Sequence, residues 1–223
     1  VTGLSWDIIV PLKELTNAKS RLVTLSPRHR RDLVVAMALD TLSAVVSCER
    51  PIHVHVVTDD IDLVDAVIGL DLGIAVHRGA PPGLNEAVQY VAGRLNSGAA
   101  TGVLLADLPA VRGEDLAAVL DLAASKSSAV VADLDGSGST FLSALRAEQL
   151  APRFGPNSYR RHRQAGAVDI EASIRIRRDV DVMADLLTVA TLELGPRTTA
   201  VAAEVLRGLW SSETIMDHLG GPA

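Results

Sequence analysis

From residue 6 onward, short and densely apolar runs alternate with longer stretches in which apolar residues recur every three or four positions. "WDIIVPL" (6–12) reads as a buried strand. In "SPRHRRDLVVAMALDTLSAVVS" the spacing becomes helical, with Ser26 as N-cap and Pro27 at the first helical position. "IHVHVVTD" (52–59) is a β-branched strand ending at the acidic residues that open the helix "DIDLVDAVIGL". A short strand, "GIAVHR", ends at the turn "GAPPG", and "LNEAVQYVAGRL" is again helical. "GVLLAD" (102–107) is the fourth strand, "EDLAAVLDLAA" a helix, and "SAVVAD" (128–133) the fifth strand. Strands and helices alternating at this period imply βαβ units, hence an α/β chain with a largely parallel sheet and helices on both faces.

Beyond residue 133 the rhythm changes. "LDGSGSTFLSAL" predicts a turn and a short strand, "FGPNSYRRHRQAG" a loop and a helix, and "ASIRIRRDVDV" another strand. "ADLLTVATLELG" and "RTTAVAAEVLRGL" are helical. No internal repeat or linker interrupts the chain, so residues 1–223 are expected to form one domain, with roughly 210–223 a mobile tail.

Composition narrows the functional classes. The hydrophobic content of 48% suits a packed core, and aromatics at 3% leave that core to Val, Leu, Ile and Ala. A formal charge of −6 argues against nucleic acid or anionic membrane as partners, although basic residues cluster at 28–31, 159–164 and 175–178. The single cysteine, Cys48, excludes an internal disulfide and a thiolate zinc cluster, and its apolar setting predicts a buried residue. No apolar stretch is as long as a membrane span, and the first residues lack a secretory pattern, so a cytoplasmic location is expected.

Ligands of open α/β sheets bind beyond the carboxyl ends of the strands, so the residues there carry the candidate chemistry. After the first strand stand three cations, Lys13, Lys19 and Arg21. Asp107 follows the fourth strand, and Asp133 with "DGSGST" the fifth. Asp179 and Asp181 follow the late strand, two residues apart and therefore on one face. Any one of these carboxylates is equally a turn or helix cap. Asp107, Asp179 and Asp181 together are the oxygen set that Mg²⁺ takes if their strands are neighbours. "GSGST" (136–140) and "RFGPNS" (153–158) can bring backbone and hydroxyl donors to an anion, the second by opening a helix N-terminus. His53 and His55 share one side of a strand, but no further ligand follows them in sequence. The chain contains no Walker loop, no G-x-G-x-x-G fingerprint and no arguable Ser-His-Asp or Cys-His set.

The ordered motifs "VPLKxLxxAKSRL", "LLADLP", "ADxxGxGST", "RFGPxSxxRHRxAG" and "DVDxxADL" resemble the 2-phospho-L-lactate or phosphoenolpyruvate guanylyltransferases of coenzyme F-420 biosynthesis. The resemblance runs from about residue 6 to residue 190. It implies a Rossmann-like three-layer nucleotidyltransferase fold with a mostly parallel central sheet. It also implies transfer of GMP from GTP to the phosphate of a small phosphorylated carboxylic acid, with pyrophosphate released. Lys13, Lys19 and Arg21 would hold the triphosphate, and "GLNEA" (83–87) would place Leu84 and Asn85 near guanosine. Asp107, Asp179 and Asp181 would bind Mg²⁺, expected as two ions. Thr140, Gly155 and Ser158 would hold the acid. A downstream deazaflavin transferase would take the product.

Asp133 and Asp135 receive no role from the resemblance. A phosphate monoester, with a second pKa near ~6, is already largely dianionic at neutral pH and needs no catalytic base. That matches the lack of a His or Cys site. Three alternatives remain: another acceptor such as 3-phospho-D-glycerate or a sugar phosphate, a silent nucleotide-binding regulator, and a nucleic-acid module built on the basic clusters. The acidic total and scarce aromatics oppose the last.

Overall fold

Six consecutive buried residues, Trp6–Pro11, form β1. Trp6, Ile8 and Val10 enter one apolar cluster and Ile9 another, so the strand is covered on both faces, as central strands of parallel sheets are. The structure is a computed structural model and describes residues 3–12, 22, 25–95 and 98–211. The chain continues through α1 (Pro27–Val46), β2 (Ile52–Val57), α2 (Ile61–Ile68), β3 (Ala75–His77), α3 (Leu84–Ala92), β4 (Ala100–Leu104) and α4 (Gly113–Ala123). Then come β5 (Ser128–Ala132), β6 (Ser139–Ala144), α5 (Ser158–Gln164), β7 (Val168–Asp169), α6 (Ile174–Arg177), α7 (Met183–Val189) and α8 (Pro196–Ser211).

The strands form one sheet in the order β3-β2-β1-β4-β6-β5-β7. All neighbouring pairs are parallel except those of β6, which runs antiparallel to both β4 and β5. The expected α/β architecture with a mostly parallel sheet is therefore present. The β6 exception has a local cause, because β5 and β6 are joined by the tight turn at 133–138 and so form a hairpin.

Helix starts follow the sequence signals. Ser26 caps α1 by accepting from the His29 N–H at 3.2 Å, with Pro27 as its first residue. Asp60 caps α2, its carboxylate accepting from the N–H groups of Asp62 and Leu63. Cys48 is buried in the larger core cluster, and burial pushes its thiol above the ordinary value.

One element differs from expectation. "ASIRIRRDVDV" is not a strand: residues 174–177 form the short helix α6, and the Arg178 N–H closes a turn on the Ile174 carbonyl at 3.0 Å. A strand would place Ile174 and Ile176 on one face, yet Ile176 is fully buried while Ile174 is exposed. The alternation of Ile and Arg imitated a strand over a segment too short to display a helical period.

Past α7, helix α8 returns to pack against α1. The buried Asp40 of α1 accepts from the Thr198 N–H at 2.7 Å and from the Arg197 N–H at 3.3 Å, satisfying two amides that a helix start leaves unpaired. A third apolar cluster joins Leu33 and Met37 of α1, Val180, Leu186 and Val189 around α7, and Ala202 and Val205 of α8.

Candidate active site

The carboxyl end of the sheet gathers most of the residues singled out in the sequence. Asp107 follows β4 by three residues. Its carbonyl accepts the Val180 N–H at 3.2 Å, and Val180 is fully buried in the third cluster. Flanking Val180 in the chain, Asp179 and Asp181 are thereby brought to Asp107. One ligand atom from each of the three residues lies within 4.8 Å of the others. The Asp185 carboxylate fixes the far side of this segment by accepting from the Asp181 and Val182 N–H groups at 3.0 and 2.9 Å. The expected grouping is present, though a loop held by main-chain bonds builds it rather than a neighbouring strand. Three convergent carboxylates are a hard oxygen donor set and fit a divalent cation.

Beside them lies the start of β6. The Leu105 N–H donates to the Thr140 carbonyl at 3.0 Å, which sets Thr140 two residues along from Asp107. The Thr140 hydroxyl is buried and has no hydrogen-bond partner among the described residues, a costly state that a ligand oxygen would relieve. Asp133, at the end of β5, closes the hairpin turn: its carboxylate accepts from the Ser137 N–H at 2.9 Å and the Gly138 N–H at 2.6 Å. Asp135 is exposed.

The 153–158 loop completes this side. Gly155 adopts φ +111°, which favours glycine. The Asn157 residue before α5 is left-handed at φ 56°. The helix-start amides proposed from sequence as anion donors are in use, since the Ser158 N–H donates to the Gly155 carbonyl and that of Tyr159 to the Ser137 carbonyl. What this helix offers instead is the Ser158 side chain, 2.9 Å from Ser139 Oγ. Ser139 Oγ is also 2.8 Å from His162 Nδ1, and His162 Nε2 accepts the Arg153 N–H at 2.8 Å. Burial, helped by the charges of Arg161 and Arg153, pushes His162 down to about 4, so its ring is neutral at physiological pH.

Asn85, in the first turn of α3, has both ends of its amide engaged by one residue. It accepts the Phe154 N–H at 2.7 Å and donates to the Phe154 carbonyl at 3.1 Å. The side chain expected near guanosine thus clamps the 153–156 loop, and Leu84 stands beside it as the first residue of α3. Lys13, Lys19 and Arg21 lie outside the described residues; Leu12, just before them, bonds the Val57 carbonyl at the carboxyl end of the sheet.

Sequence reasoning left several groups unread. The sequence offers His162 only as a letter of a motif and Ser139 as one hydroxyl of an anion-binding turn, and nothing local marks them as partners of Ser158. His53 and His55 do share a face, and the fold brings Asp7 and His77 to them: His55 Nε2 is 3.1 Å from Asp7 Oδ1, and its Nδ1 is 3.1 Å from His77 Nε2. This group lines a cleft of about 570 Å³ toward the amino ends of β1 and β2, away from the carboxylates. Among the described residues, no helix is long and apolar enough to cross a membrane.

Comparison with known proteins agrees with this geometry. The phosphoenolpyruvate guanylyltransferase of Streptomyces coelicolor is 38% identical, over 91% of this chain and 98% of the relative. In fold, the chain is similar to a putative nucleotide-diphospho-sugar transferase from Desulfovibrio desulfuricans, with TM-score 0.66 at 16% identity, covering 89% of this chain and 94% of the other. It is also similar to a Mycobacterium tuberculosis protein solved in complex with manganese, with TM-score 0.51 at 18% identity, covering 84% and 98%. The family model described as "Guanylyl transferase CofC like" matches residues 6–198. A nucleotidyltransferase sheet with its carboxylates and hydroxyls gathered at the carboxyl end, matched along nearly its whole length, places the chain in the CofC-like guanylyltransferase family.

Proposed function

We propose that this guanylyltransferase joins GMP from GTP to the phosphate of phosphoenolpyruvate and releases pyrophosphate, as a step toward a deazaflavin coenzyme. The observation that carries the reading is the convergence of Asp107, Asp179 and Asp181 beside the Thr140 hydroxyl, which has no hydrogen-bond partner among the described residues. The similarity to a protein named phosphoenolpyruvate guanylyltransferase supports the choice of acid.

In this reaction a phosphate oxygen of the acid attacks the α-phosphorus of GTP, a new P–O–P bond forms, and the bond to the pyrophosphate oxygen breaks. The acid's phosphate is dianionic at neutral pH, so no residue has to remove a proton. The task left to the protein is to hold two polyanions in line. Lys13, Lys19 and Arg21 grip the triphosphate and stay with the leaving pyrophosphate. Leu84 and the start of α3 face the nucleoside, with Asn85 joining that helix to the acid side through Phe154. Thr140, Gly155 and Ser158 take the carboxylate of the acid. Asp107, Asp179 and Asp181 would hold Mg²⁺, two ions in this reading, which supplies charge neutralisation on the phosphates. A cytoplasmic enzyme handing its product directly to a deazaflavin transferase completes the proposal.

The test is pyrophosphate release with Mg²⁺ and GTP, offering phosphoenolpyruvate, 2-phospho-L-lactate or 3-phospho-D-glycerate separately, with ATP and CTP as controls. The downstream transferase is included to consume an unstable product. Release with GTP and phosphoenolpyruvate is expected. Release with another acid alone would reassign the acceptor, and silence with all three would overturn the reading. Ser158→Ala should raise KM for the acid roughly tenfold and leave KM for GTP unchanged, in line with the loss of one charge-assisted hydrogen bond.

A further inference from the structure

We propose that His162 is a positioning residue whose two ring nitrogens set the acid-binding side of the site, one by holding the 153–156 loop and the other by turning the Ser158 hydroxyl into a donor toward the substrate anion. This rests on the assignment of Ser158 to the acid.

The polarity of the chain of hydrogen bonds is fixed at one end. The Arg153 backbone N–H, 2.8 Å from His162 Nε2, can only donate, so Nε2 carries no proton and the neutral ring bears its proton on Nδ1. Nδ1–H therefore donates to Ser139 Oγ at 2.8 Å. Ser139 is buried, and its hydroxyl has two partners among the described residues, His162 and Ser158. Only donation onward to Ser158 Oγ, 2.9 Å away, leaves Ser139 without a stranded buried proton. Ser158 then accepts from Ser139, and its own proton is released for a ligand. A hydroxyl held in that sense favours an anionic oxygen and disfavours a donor, which suits a carboxylate.

The same ring acts on the loop. Arg153 is held through its N–H by His162, and Phe154 through its N–H by Asn85, so two successive amides place the turn that contains Gly155. The Phe154 ring meets the fully buried imidazole at 73°, with centroids 4.9 Å apart. A protonated imidazole would oppose its Nε2–H to the Arg153 N–H and undo both functions.

Two measurements test the assignment. In protein carrying ¹⁵N-labelled histidine, nitrogen shifts at neutral pH should show His162 as the neutral tautomer protonated at Nδ1. The Nε2–H tautomer would overturn the assignment whatever the substrate. Ser139→Ala, with folding checked by thermal melting, should raise KM for phosphoenolpyruvate roughly tenfold while kcat and KM for GTP stay within about twofold, as for one lost hydrogen bond to a charged group. An equal rise for both substrates, or no change, would overturn it. Wild-type protein without acid-dependent turnover would instead defeat the acceptor reading and, with it, the substrate half of this one. An active wild type with an unaffected Ser139→Ala variant would defeat the His162 assignment alone.

Discussion

Asp107 and Asp133 occupy the same place in the sequence pattern, each just past a buried strand, and the fold gives them different work. Both oxygens of Asp133 are used within its own turn, by the N–H groups of Ser137 and Gly138. Asp107 meets two other carboxylates, the oxygen set that a divalent cation takes. Asp107→Asn is accordingly expected to lower kcat by roughly a hundredfold or more with little change in melting temperature, read from pyrophosphate release over a magnesium titration. Near-normal turnover at saturating Mg²⁺ would remove Asp107 from the cation site. Gly138 illustrates the opposite kind of effect. A Cβ there would stand 2.3 Å from the Asp133 carboxylate, so Gly138→Ala must displace the turn. The expected loss is about 1–3 kcal/mol, seen as a lower melting temperature together with weaker binding of the acid.

At the level of elements, the cap on α8 comes from another helix. Asp40 serves the Arg197 and Thr198 amides across 157 and 158 residues of sequence, and the Arg197 guanidinium adds a third contact at 3.3 Å. Asp40→Ala should cost about 1–2 kcal/mol, the upper part of the range for a lost cap, and lower the melting point by several degrees in a chain of this length. Because α8 packs in the cluster that holds Val180, the same variant should also weaken magnesium binding, measured as a higher half-saturating concentration for turnover. An unchanged magnesium curve would confine α8 to a supporting role for α1. Elements were legible wherever period and caps agreed, as in β1, α1 and β2. They were misread at 172–182, where four residues of alternating Ile and Arg carried the period of a strand and the geometry of a helical turn. The site was half legible. Carboxylates and hydroxyls at strand ends are announced by their position after apolar runs, but Asn85 with Phe154 joins residues 69 apart, and no local pattern records such a pairing.

For the molecule as a whole, His162 links the site to stability. In the unfolded chain its imidazole takes a proton near its ordinary value of 6.5, and in the folded chain only near about 4. The unfolded state thus binds the extra proton in between, and stability that is complete above about 6.5 drains away as pH falls toward 4. The loss amounts to about 3 kcal/mol. Urea melts across this range should show it, and His162→Gln should flatten the curve; a variant with the wild-type pH dependence would place the effect elsewhere.

The distance in sequence between α1 and α8 has a further consequence, for how the chain is made. Leu33 and Met37 emerge from the ribosome well before Ala202 and Val205, which share their apolar cluster, and until α8 arrives part of one flank of α1 stays wet and adhesive. The nascent polypeptide therefore completes this part of its native core only once α8 has been synthesised. Fragments ending at residue 195 should bind a hydrophobic dye and sediment as aggregates, whereas the full chain does neither. A monomeric, dye-silent fragment would show that α1 finds another cover during synthesis.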